Sequence, residues 1–478
     1  MDLIRSNFLK YKFTLLLMIS FLWIFKNYLT IIEGDPAIYL SYSKNFFVQP
    51  FSFGSVNNVT FGATSPLFLT LLSIFHEIFG IEYFLLPFKI FYAGLFFTSI
   101  YVISRILNAN TQINSLEAVS IFFLLNFYIV INGVVLFESF LILFYCSCLL
   151  YFLIKQKIKT FLLLAGLAYL IRPELALINV FSLYFLYKDK KNIFYFSIPL
   201  LIPALYHSYI FYYTGDILPS SVVSRSSRFS DVSIIYSYYT ILKNDPYIVF
   251  QSLIILFSFY FSIIQKSYLN RISSLIGIIG IIILISTKTF SIRYFESFAI
   301  LSIPATLYML QSNFFSKYYN LLFIICFLIV FYKITNPVYS ENSNLKNRLS
   351  ENFTSKINQI IDPDEKLLIY EIQTQYFLYS KAVSMDARVG KEAIGLMNGE
   401  EDLYELMKKE SIKYVSIDQN MSSLLKKDPY IKLLLENNNL NVGDTVKINS
   451  ANFVKVFEKS DSDETYKMYG NIFMVLKN

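Results

Sequence analysis

Long apolar stretches separated by short polar segments fill the first two thirds of the chain. A helix needs about 20 mostly apolar residues to cross the hydrocarbon core of a bilayer. The pattern therefore predicts about 11 transmembrane helices, at about 13–32, 83–105, 114–134, 138–154, 158–172, 174–187, 191–212, 246–265, 272–287, 294–311 and 317–334. One further stretch, 64–80, is shorter and ends in His76, Glu77 and Gly80, so we expect a helix lying at the outer membrane interface.

The hydrophobic pattern changes near residues 333–337, beyond which shorter apolar segments alternate with polar ones. Their length and spacing predict three strands and two helices, at 367–372, 382–387 and 414–418, and at 400–410 and 422–438. We therefore predict two domains, an α-helical polytopic membrane domain at 1–335 and a small α/β domain at 336–478.

Composition supports a membrane protein. Hydrophobic residues make up 55% of the chain and charged residues only 16%, whereas soluble domains carry about 25% charged residues. Residues 1–335 hold 23 Lys and Arg against 13 Asp and Glu, and residues 336–478 hold 18 against 21. Because the positive excess belongs to the membrane loops, we expect the bilayer as a partner and no nucleic acid.

The basic residues also orient the chain in the membrane. Arg5, Lys10 and Lys12 precede the first span, so the positive-inside rule predicts a cytoplasmic N-terminus. With 64–80 at the interface, the basic clusters of the later loops fall inside as well, whereas a full span at 64–80 would put them outside. Eleven spans then make the C-terminal domain extracytoplasmic.

The other charged groups gather at the outer ends of the spans. Each ionisable residue within a span costs about 2.5–3.5 kcal/mol, so a shared outer site is the simplest explanation for them. They are Glu33, Asp35, Lys44, Glu138, Arg172, Glu174, Asp216, Arg225, Arg228, Lys288, Arg293 and Glu296. A carboxylate can accept the proton of an attacking hydroxyl, and arginines can hold a phosphate leaving group. These residue types suit sugar transfer from a lipid phosphate, and attack from the opposite face would invert the anomeric centre.

Six segments carry recognisable motifs: EGDPAIYLSYSKNF (33–46), GATSPLFLTLL (62–72), VLFES (135–139), LIRPE (170–174), YYTGDILPSSVVSRS (212–226) and IRYFESFAILSIP (292–304). In this order they resemble the polyprenyl-phosphate-dependent membrane glycosyltransferases of the GT-C fold, in particular the branch of the terminal arabinofuranosyltransferases. The likeness covers most of residues 10–310 and is weaker in the C-terminal domain.

The resemblance implies roles for single residues. Asp35 matches the second acid of the family's acidic pair, as catalytic base or its close partner, and Glu138 matches a second outer-loop acid. Arg172, Arg225 and Arg293 become candidate phosphate holders. The resemblance and the outer position together make substrate-binding candidates of Glu33, Lys44, Arg172, Glu174, Arg225 and Arg293. The implied donor is a polyprenyl-phosphate sugar, and the implied acceptor is a hydroxyl of a glycan, lipid or protein.

Three departures from the family's pattern leave the sugar, the acceptor and any metal open. Gly34 replaces the first acid of the pair, Ser220–Ser221 replaces an Asn-Thr, and Glu296 lies near the place of a proline. Two acids in an outer loop could hold Ca²⁺ or Mg²⁺, or act without a metal, so the metal ligands are unknown. The three cysteines have no metal-binding spacing and are interpreted as core thiols.

Plainer interpretations stand beside these. Asp35 could only cap a helix, Glu138 could be an interfacial acid, Arg172 could simply pair with Glu174, and Arg225 and Arg293 could be a solvated loop residue and a membrane anchor. At the level of function, the alternatives are a transporter or flippase of lipid-linked sugars, which needs a polar route through the membrane, and a non-catalytic cell-envelope assembly protein.

Overall fold

The computed structural model is mostly helical and carries one small β-sheet near its C-terminal end, which confirms this part of the predicted fold class. Everything below concerns the described residues. They are 2–29, 35–53, 59–60, 62–106, 114–179, 182, 193–215, 239, 246–264, 268–286, 292–312, 315, 317–335, 355–370, 381–385, 393–417, 421, 425–437, 439–457 and 471–476.

Residues 180–181 and 183–187 of the predicted span 174–187 lie outside the described residues, and the helices that precede the sheet lie mostly within the predicted apolar stretches. They are α1 (Asp2–Asn27), α2 (Asp35–Asn45), α3 (Pro66–Tyr83), α4 (Leu85–Ile106), α5 (Ser115–Leu125), α6 (Phe127–Val134), α7 (Ser139–Ile154), α8 (Ile158–Gly166), α9 (Ala168–Ile171), α10 (Ile193–Thr214), α11 (Pro246–Ile264), α12 (Tyr268–Ser286), α13 (Ile292–Leu301), α14 (Ile303–Leu310) and α15 (Tyr319–Thr335).

Several predicted spans are broken or displaced. The predicted helix 114–134 is two helices bent by 76° at Asn126, and 294–311 is interrupted at Ser302. The predicted helix 158–172 is interrupted at Leu167, between α8 and α9, and it stops at Ile171 because Arg172 has extended backbone angles and Pro173 starts a 3-10 turn. Helix α1 runs from Asp2 to Asn27 with a kink at Tyr11, so its second segment begins near the predicted start at about 13 and ends before the predicted residue 32.

Length and apolarity single out few of these helices as membrane spans. Within the described residues, α4 alone is long and apolar enough to cross a membrane, and α5 with α6 would be a second if the bent pair forms one span. Shorter apolar segments occur at 66–80, 139–154, 252–264, 273–282 and 319–335. The topology of about 11 spans stays a prediction.

Aromatic side chains form much of the helical core. The Phe96 ring stacks on Phe21 and Phe140 at centroid distances of 5.3 and 4.7 Å, and meets Phe123 edge-on at 5.1 Å. These four rings come from α1, α4, α5 and α7, so they hold together the helices that carry the candidate site. Offset and edge-on ring pairs add about 0.5–1.5 kcal/mol each beyond area burial.

The C-terminal region contains a mixed six-stranded sheet in the order β2-β1-β3-β6-β5-β4. Its strands and helices are β1 (Lys366–Ile369), β2 (Lys381–Ser384), α16 (Ile394–Asn398), α17 (Leu403–Lys409), β3 (Tyr414–Ile417), α18 (Pro429–Glu436), β4 (Thr445–Ile448), β5 (Ala451–Phe457) and β6 (Asn471–Leu476). The three predicted strands are the parallel ones, and the antiparallel β4, β5 and β6 were missed.

Candidate functional site

A tight turn between α6 and α7 presents Glu138. Leu136 has a φ of 73°, a region that L-residues disfavour by about 1–2 kcal/mol. The turn is closed because the Phe137 N–H donates to the Asn132 carbonyl at 2.8 Å. Gly133 allows this close approach, since a Cβ there would lie 2.1 Å from the Phe140 ring. A strained turn thus precedes the candidate acid directly.

Glu138 is the N-cap residue of α7, but its side chain makes no capping hydrogen bond. The side chain is fully buried, and its Oε1 accepts a short hydrogen bond from the Tyr39 hydroxyl of α2. Its other oxygen, Oε2, has no hydrogen-bond partner among the described residues. Glu138 is therefore neither an exposed interfacial acid nor a helix cap, and one carboxylate oxygen remains available to a ligand.

Tyr39 connects Glu138 to the two segments on either side of residue 61, α2 and the start of α3. Its hydroxyl lies 3.2 Å from the Thr64 hydroxyl, just before α3. One turn further along α2, the Tyr42 hydroxyl lies 2.5 Å from the Thr60 hydroxyl and accepts a 2.9 Å hydrogen bond from the Gly62 N–H. The two segments that carry the family resemblance, around 33–46 and 62–72, therefore contact each other.

Asp35 is the first residue of α2, one helical turn before Tyr39. A negative charge in the first turn of a helix is stabilised by the helix dipole, so a role at the start of the helix stays compatible with its position. The Asp35 side chain and all of Glu33 lie outside the described residues. Lys44, in the last turn of the same helix, is half-buried, and burial lowers its pKa.

Arg172 and Glu174 form an ion pair of 3.3 Å. Arg172 is only 2% exposed, because the extended backbone before Pro173 turns its side chain into the protein. The pairing that the plainer interpretation predicted is thus present. Glu174 uses one oxygen for it, and its Oε2 has no hydrogen-bond partner in the described part of the chain. The ion pair is formed without a ligand, and Glu174 Oε2 can accept a hydrogen bond from one.

Tyr92 of α4 links the Arg172 side of the site to the Glu138 side. Its buried hydroxyl donates to the Phe137 carbonyl at 2.7 Å and accepts from the Leu141 N–H at 3.2 Å, on either side of Glu138. The same hydroxyl interacts electrostatically with the charges of both Glu138 and Arg172. The candidate acid and the candidate phosphate holder are therefore close enough to share a neighbour.

Glu296 of α13 packs onto the same turn from the opposite direction. Its carboxylate accepts hydrogen bonds from Asn132 Nδ2 at 2.6 Å and from Ser139 Oγ at 3.0 Å. Helix α13 also contacts the 3-10 turn at Pro173–Leu175. Arg293 lies one turn before Glu296, but its side chain is outside the described residues, and so is the whole of Arg225.

Sequence reasoning missed Tyr39, Tyr92 and Lys89. Lys89 is 1% exposed and donates a 2.6 Å hydrogen bond to the Tyr28 carbonyl at the end of α1, shortly before the segment of Glu33 and Asp35. The signal for Lys89 was available, because it is a lysine within a predicted span. The tyrosines gave no such signal among the chain's 38.

Among the described residues, no group of three or more His, Cys, Asp or Glu side chains could hold a metal ion. Comparison with known proteins adds no identity. No family model matches the chain. No curated protein matches it either. The family resemblance thus rests on the motifs alone.

Proposed function

We propose that the protein is a membrane glycosyltransferase related to the GT-C fold. It transfers a sugar from a polyprenyl-phosphate donor to a hydroxyl of a cell-surface glycan, lipid or protein, with inversion at the anomeric carbon. The proposed location is a bacterial plasma membrane, with about 11 spans, a cytoplasmic N-terminus and an extracytoplasmic C-terminal domain at 336–478.

One observation carries the proposal. Side chains from segments that are far apart in sequence meet around Glu138, which Tyr39 contacts across 99 residues and whose neighbour Ser139 contacts Glu296 across 157. Tyr92, which hydrogen-bonds on both sides of Glu138, is also near enough to Arg172 to interact with it electrostatically. A non-catalytic assembly protein gives no reason for a buried acid, a buried arginine and an unpaired carboxylate oxygen to converge, so this rival is disfavoured.

The exposed surface supports a membrane setting. Large apolar side chains are exposed along many helices, among them Leu22 at 61%, Ile78 at 67% and Tyr212 at 82%. Exposed apolar area of large extent is rare on soluble monomers and typical of surfaces that contact lipid or another protein.

The proposed reaction needs a base, an acid that orients the substrates and a holder of the leaving group. A carboxylate, Asp35 in this proposal, takes the proton of the acceptor hydroxyl as its oxygen attacks the anomeric carbon. The bond from that carbon to the phosphate oxygen breaks, and its electrons leave with the phosphate. Arg172, with Arg225 and Arg293, holds the phosphate charge, and Glu138 orients donor or acceptor.

The residues that would bind a divalent cation in such a site are carboxylates. Glu138 offers one buried oxygen without a partner among the described residues, and Asp35 starts the helix that contacts it. Two acids fit the oxygen-rich ligand sets of Ca²⁺ or Mg²⁺, which would neutralise developing phosphate charge. The proposed proton transfer and leaving-group binding use only the protein's own side chains.

The experiment that tests the proposal compares the surface glycans of a deletion strain carrying the wild-type protein, Asp35→Asn, Glu138→Gln or Glu77→Gln. Glu77 is an exposed acid on α3 and serves as the matched control. We expect the wild type and Glu77→Gln to restore one specific sugar, and the other two variants to fail at equal protein level. Full restoration by both would overturn the transferase and favour a transporter of lipid-linked sugars.

A further inference from the structure

Several aromatic rings on the described helices are strongly exposed, whereas a group of three beside the candidate site is half-buried. Tyr206 and His207 of α10 and Tyr169 of α9 are half-buried and face one another. The Tyr169 and His207 ring centroids are 4.9 Å apart, and those of Tyr169 and Tyr206 are 6.4 Å apart. On the same helix, Tyr212 is 82% exposed, as expected of a ring that contacts lipid.

One hydrogen bond holds two of the three rings together. His207 Nε2 lies 2.7 Å from the Tyr169 hydroxyl, a hydrogen bond that fixes both rings. The Tyr169 hydroxyl also interacts electrostatically with Glu174, and the Tyr206 hydroxyl with Tyr169 and Tyr42. The ring group is therefore near enough to both Tyr42 of α2 and Glu174 to interact with them electrostatically.

Glu174 gives this group a strong acceptor. One of its oxygens pairs with Arg172, while Oε2 is buried with no hydrogen-bond partner in the described part of the chain. An unsatisfied buried acceptor costs about 1–3 kcal/mol, and more when it is charged. A ligand that offers hydroxyl donors removes this cost, whereas the carboxylate would repel a ligand with an anionic phosphate group.

We propose that Tyr169, Tyr206, His207 and Glu174 form a subsite for a sugar ring. Aromatic faces match the apolar C–H face of a sugar, and a carboxylate with hydroxyl and imidazole groups matches its hydroxyls. A mostly aromatic surface with a few fixed polar groups is the usual composition of a small-molecule site. The subsite deepens the proposed function, on which it rests, by assigning residues to the carbohydrate part of the substrates.

Binding of free sugars tests the subsite without requiring turnover. The full-length protein in lipid nanodiscs is mixed with a panel of methyl glycosides, of gluco-, galacto-, manno- and arabinofuranoside configuration. Saturation transfer from protein to the ring protons of each glycoside is then recorded by NMR. We expect transfer to at least one glycoside, a loss of it in Tyr169→Ala and Glu174→Gln, and no loss in Tyr212→Ala. Tyr169→Phe removes only the hydroxyl and keeps the packing of the ring, so it separates a loss of binding from a loss of folding. We expect it to weaken binding several-fold.

Equal transfer in the wild type and Tyr169→Ala, or transfer to none of the glycosides, overturns the subsite. A donor sugar and an acceptor sugar offer the same chemistry, and competition separates them. Displacement by the polyprenyl-phosphate form of the bound sugar at lower concentration than by an oligosaccharide assigns the subsite to the donor, and the reverse order assigns it to the acceptor. If sugars bind at the subsite while Asp35→Asn and Glu138→Gln still restore the surface glycan, the proposed transferase mechanism fails and the subsite stands.

Discussion

The start of α5 and the start of α7 each carry one buried glutamate, and the two differ in how their carboxylates are used. Glu117 is 1% exposed and Glu138 is fully buried. Glu117 accepts hydrogen bonds from the Phe13 N–H at 3.2 Å, from the Thr14 N–H and hydroxyl at 3.4 and 3.1 Å, and from the Tyr319 hydroxyl at 3.3 Å. Both of its oxygens are satisfied, whereas Glu138 has one donor on one oxygen.

The kink in α1 explains the Glu117 arrangement. Tyr11 leaves helical geometry, with φ −121° and ψ 23°, so the N–H groups just after it begin a new helical segment without partners. The carboxylate of Glu117 caps them from another helix. Nearby, Lys12 donates to Asn320 at 2.9 Å and lies 4.6 Å from the centre of the Tyr319 ring. Glu117 therefore joins α1, α5 and α15, and both of its carboxylate oxygens serve a structural role.

Glu138 has no comparable structural task. Its helix receives no capping bond from it, and its turn contains a residue at positive φ. Strained backbone and unsatisfied polar atoms gather at functional sites, where the surrounding structure holds them in place. The comparison teaches that burial alone does not identify a functional acid, and that the number of donors its oxygens receive is the sharper criterion.

The largest expected effect is on activity, in Glu138→Gln. The amide keeps the size of the side chain but removes the charge that orients a sugar or metal, so we expect the transfer rate to fall by about 10³-fold. The rate is measured in membrane vesicles that receive the donor whose sugar the glycan analysis identifies. Thermal unfolding of the variant should stay close to the wild type, and a rate within about threefold of the wild type would remove Glu138 from the site.

The next effect is on stability, in Glu117→Gln. An amide nitrogen would face N–H donors that now bind a carboxylate, so the free energy of unfolding should fall by about 2–3 kcal/mol. The midpoint of thermal unfolding in detergent reports this loss, with the exposed Glu77→Gln as control. The transfer rate per folded molecule should remain within about twofold. An unchanged midpoint would show that the contacts of Glu117 do not stabilise the fold.

The two glutamates look alike in the sequence, each a single acid near the start of an apolar stretch. Hydrophobic periodicity located nearly every helix, because burial in lipid or protein is a local property of the chain. It did not give the breaks at Asn126 and Leu167, because no proline marks either position. The donors to Glu117 and Glu138 come from residues about 100 positions away, which no local pattern reports.

The missed antiparallel strands had a local signal. The segment from Thr445 to Phe457 alternates apolar and polar residues around Asn449–Ser450, and Asn449 adopts a φ of 51°. Asn at the first position of a two-residue turn between alternating stretches predicts a hairpin. The observed pairing of Ile448 with Ala451 matches such a turn. The hairpin signal was therefore present in the sequence, and the interpretation overlooked it.

A smaller effect is expected from Tyr39→Phe. The change removes the hydroxyl that donates to Glu138 and contacts Thr64 while it keeps the packing of the ring against Phe68 at 5.1 Å. Loss of one hydrogen bond to a charged group should lower the transfer rate by about tenfold. In the double variant with Glu138→Gln, the second change should add little, because both act through the same carboxylate. Additive losses would mean that Tyr39 acts independently of Glu138.

The smallest effect is expected on stability, from a change at Glu365, an acid near the surface. Glu365 pairs with Lys413 across the start of β3, and their side chains are 29% and 46% exposed. The hydrogen bond from Lys413 lowers the pKa of Glu365. A lowered folded-state pKa contributes stability above the unfolded value of about 4.3, and that contribution is lost as the pH falls through the lowered value.

Glu365→Gln should therefore destabilise the sheet by less than about 1 kcal/mol at pH 7, and by less still near pH 4 and in high salt. Hydrogen exchange of the β1 and β3 amides in the full-length protein measures this local stability, with the exposed Glu436→Gln on α18 as control. A larger loss at pH 4 than at pH 7 would contradict the sign of the pKa shift. A loss of stability as large as that of Glu117→Gln would mean that hydrogen bonds to a carboxylate stabilise the protein equally at the surface and in the core. The number of donors, the criterion that separates Glu117 from Glu138, would then apply to exposed acids too.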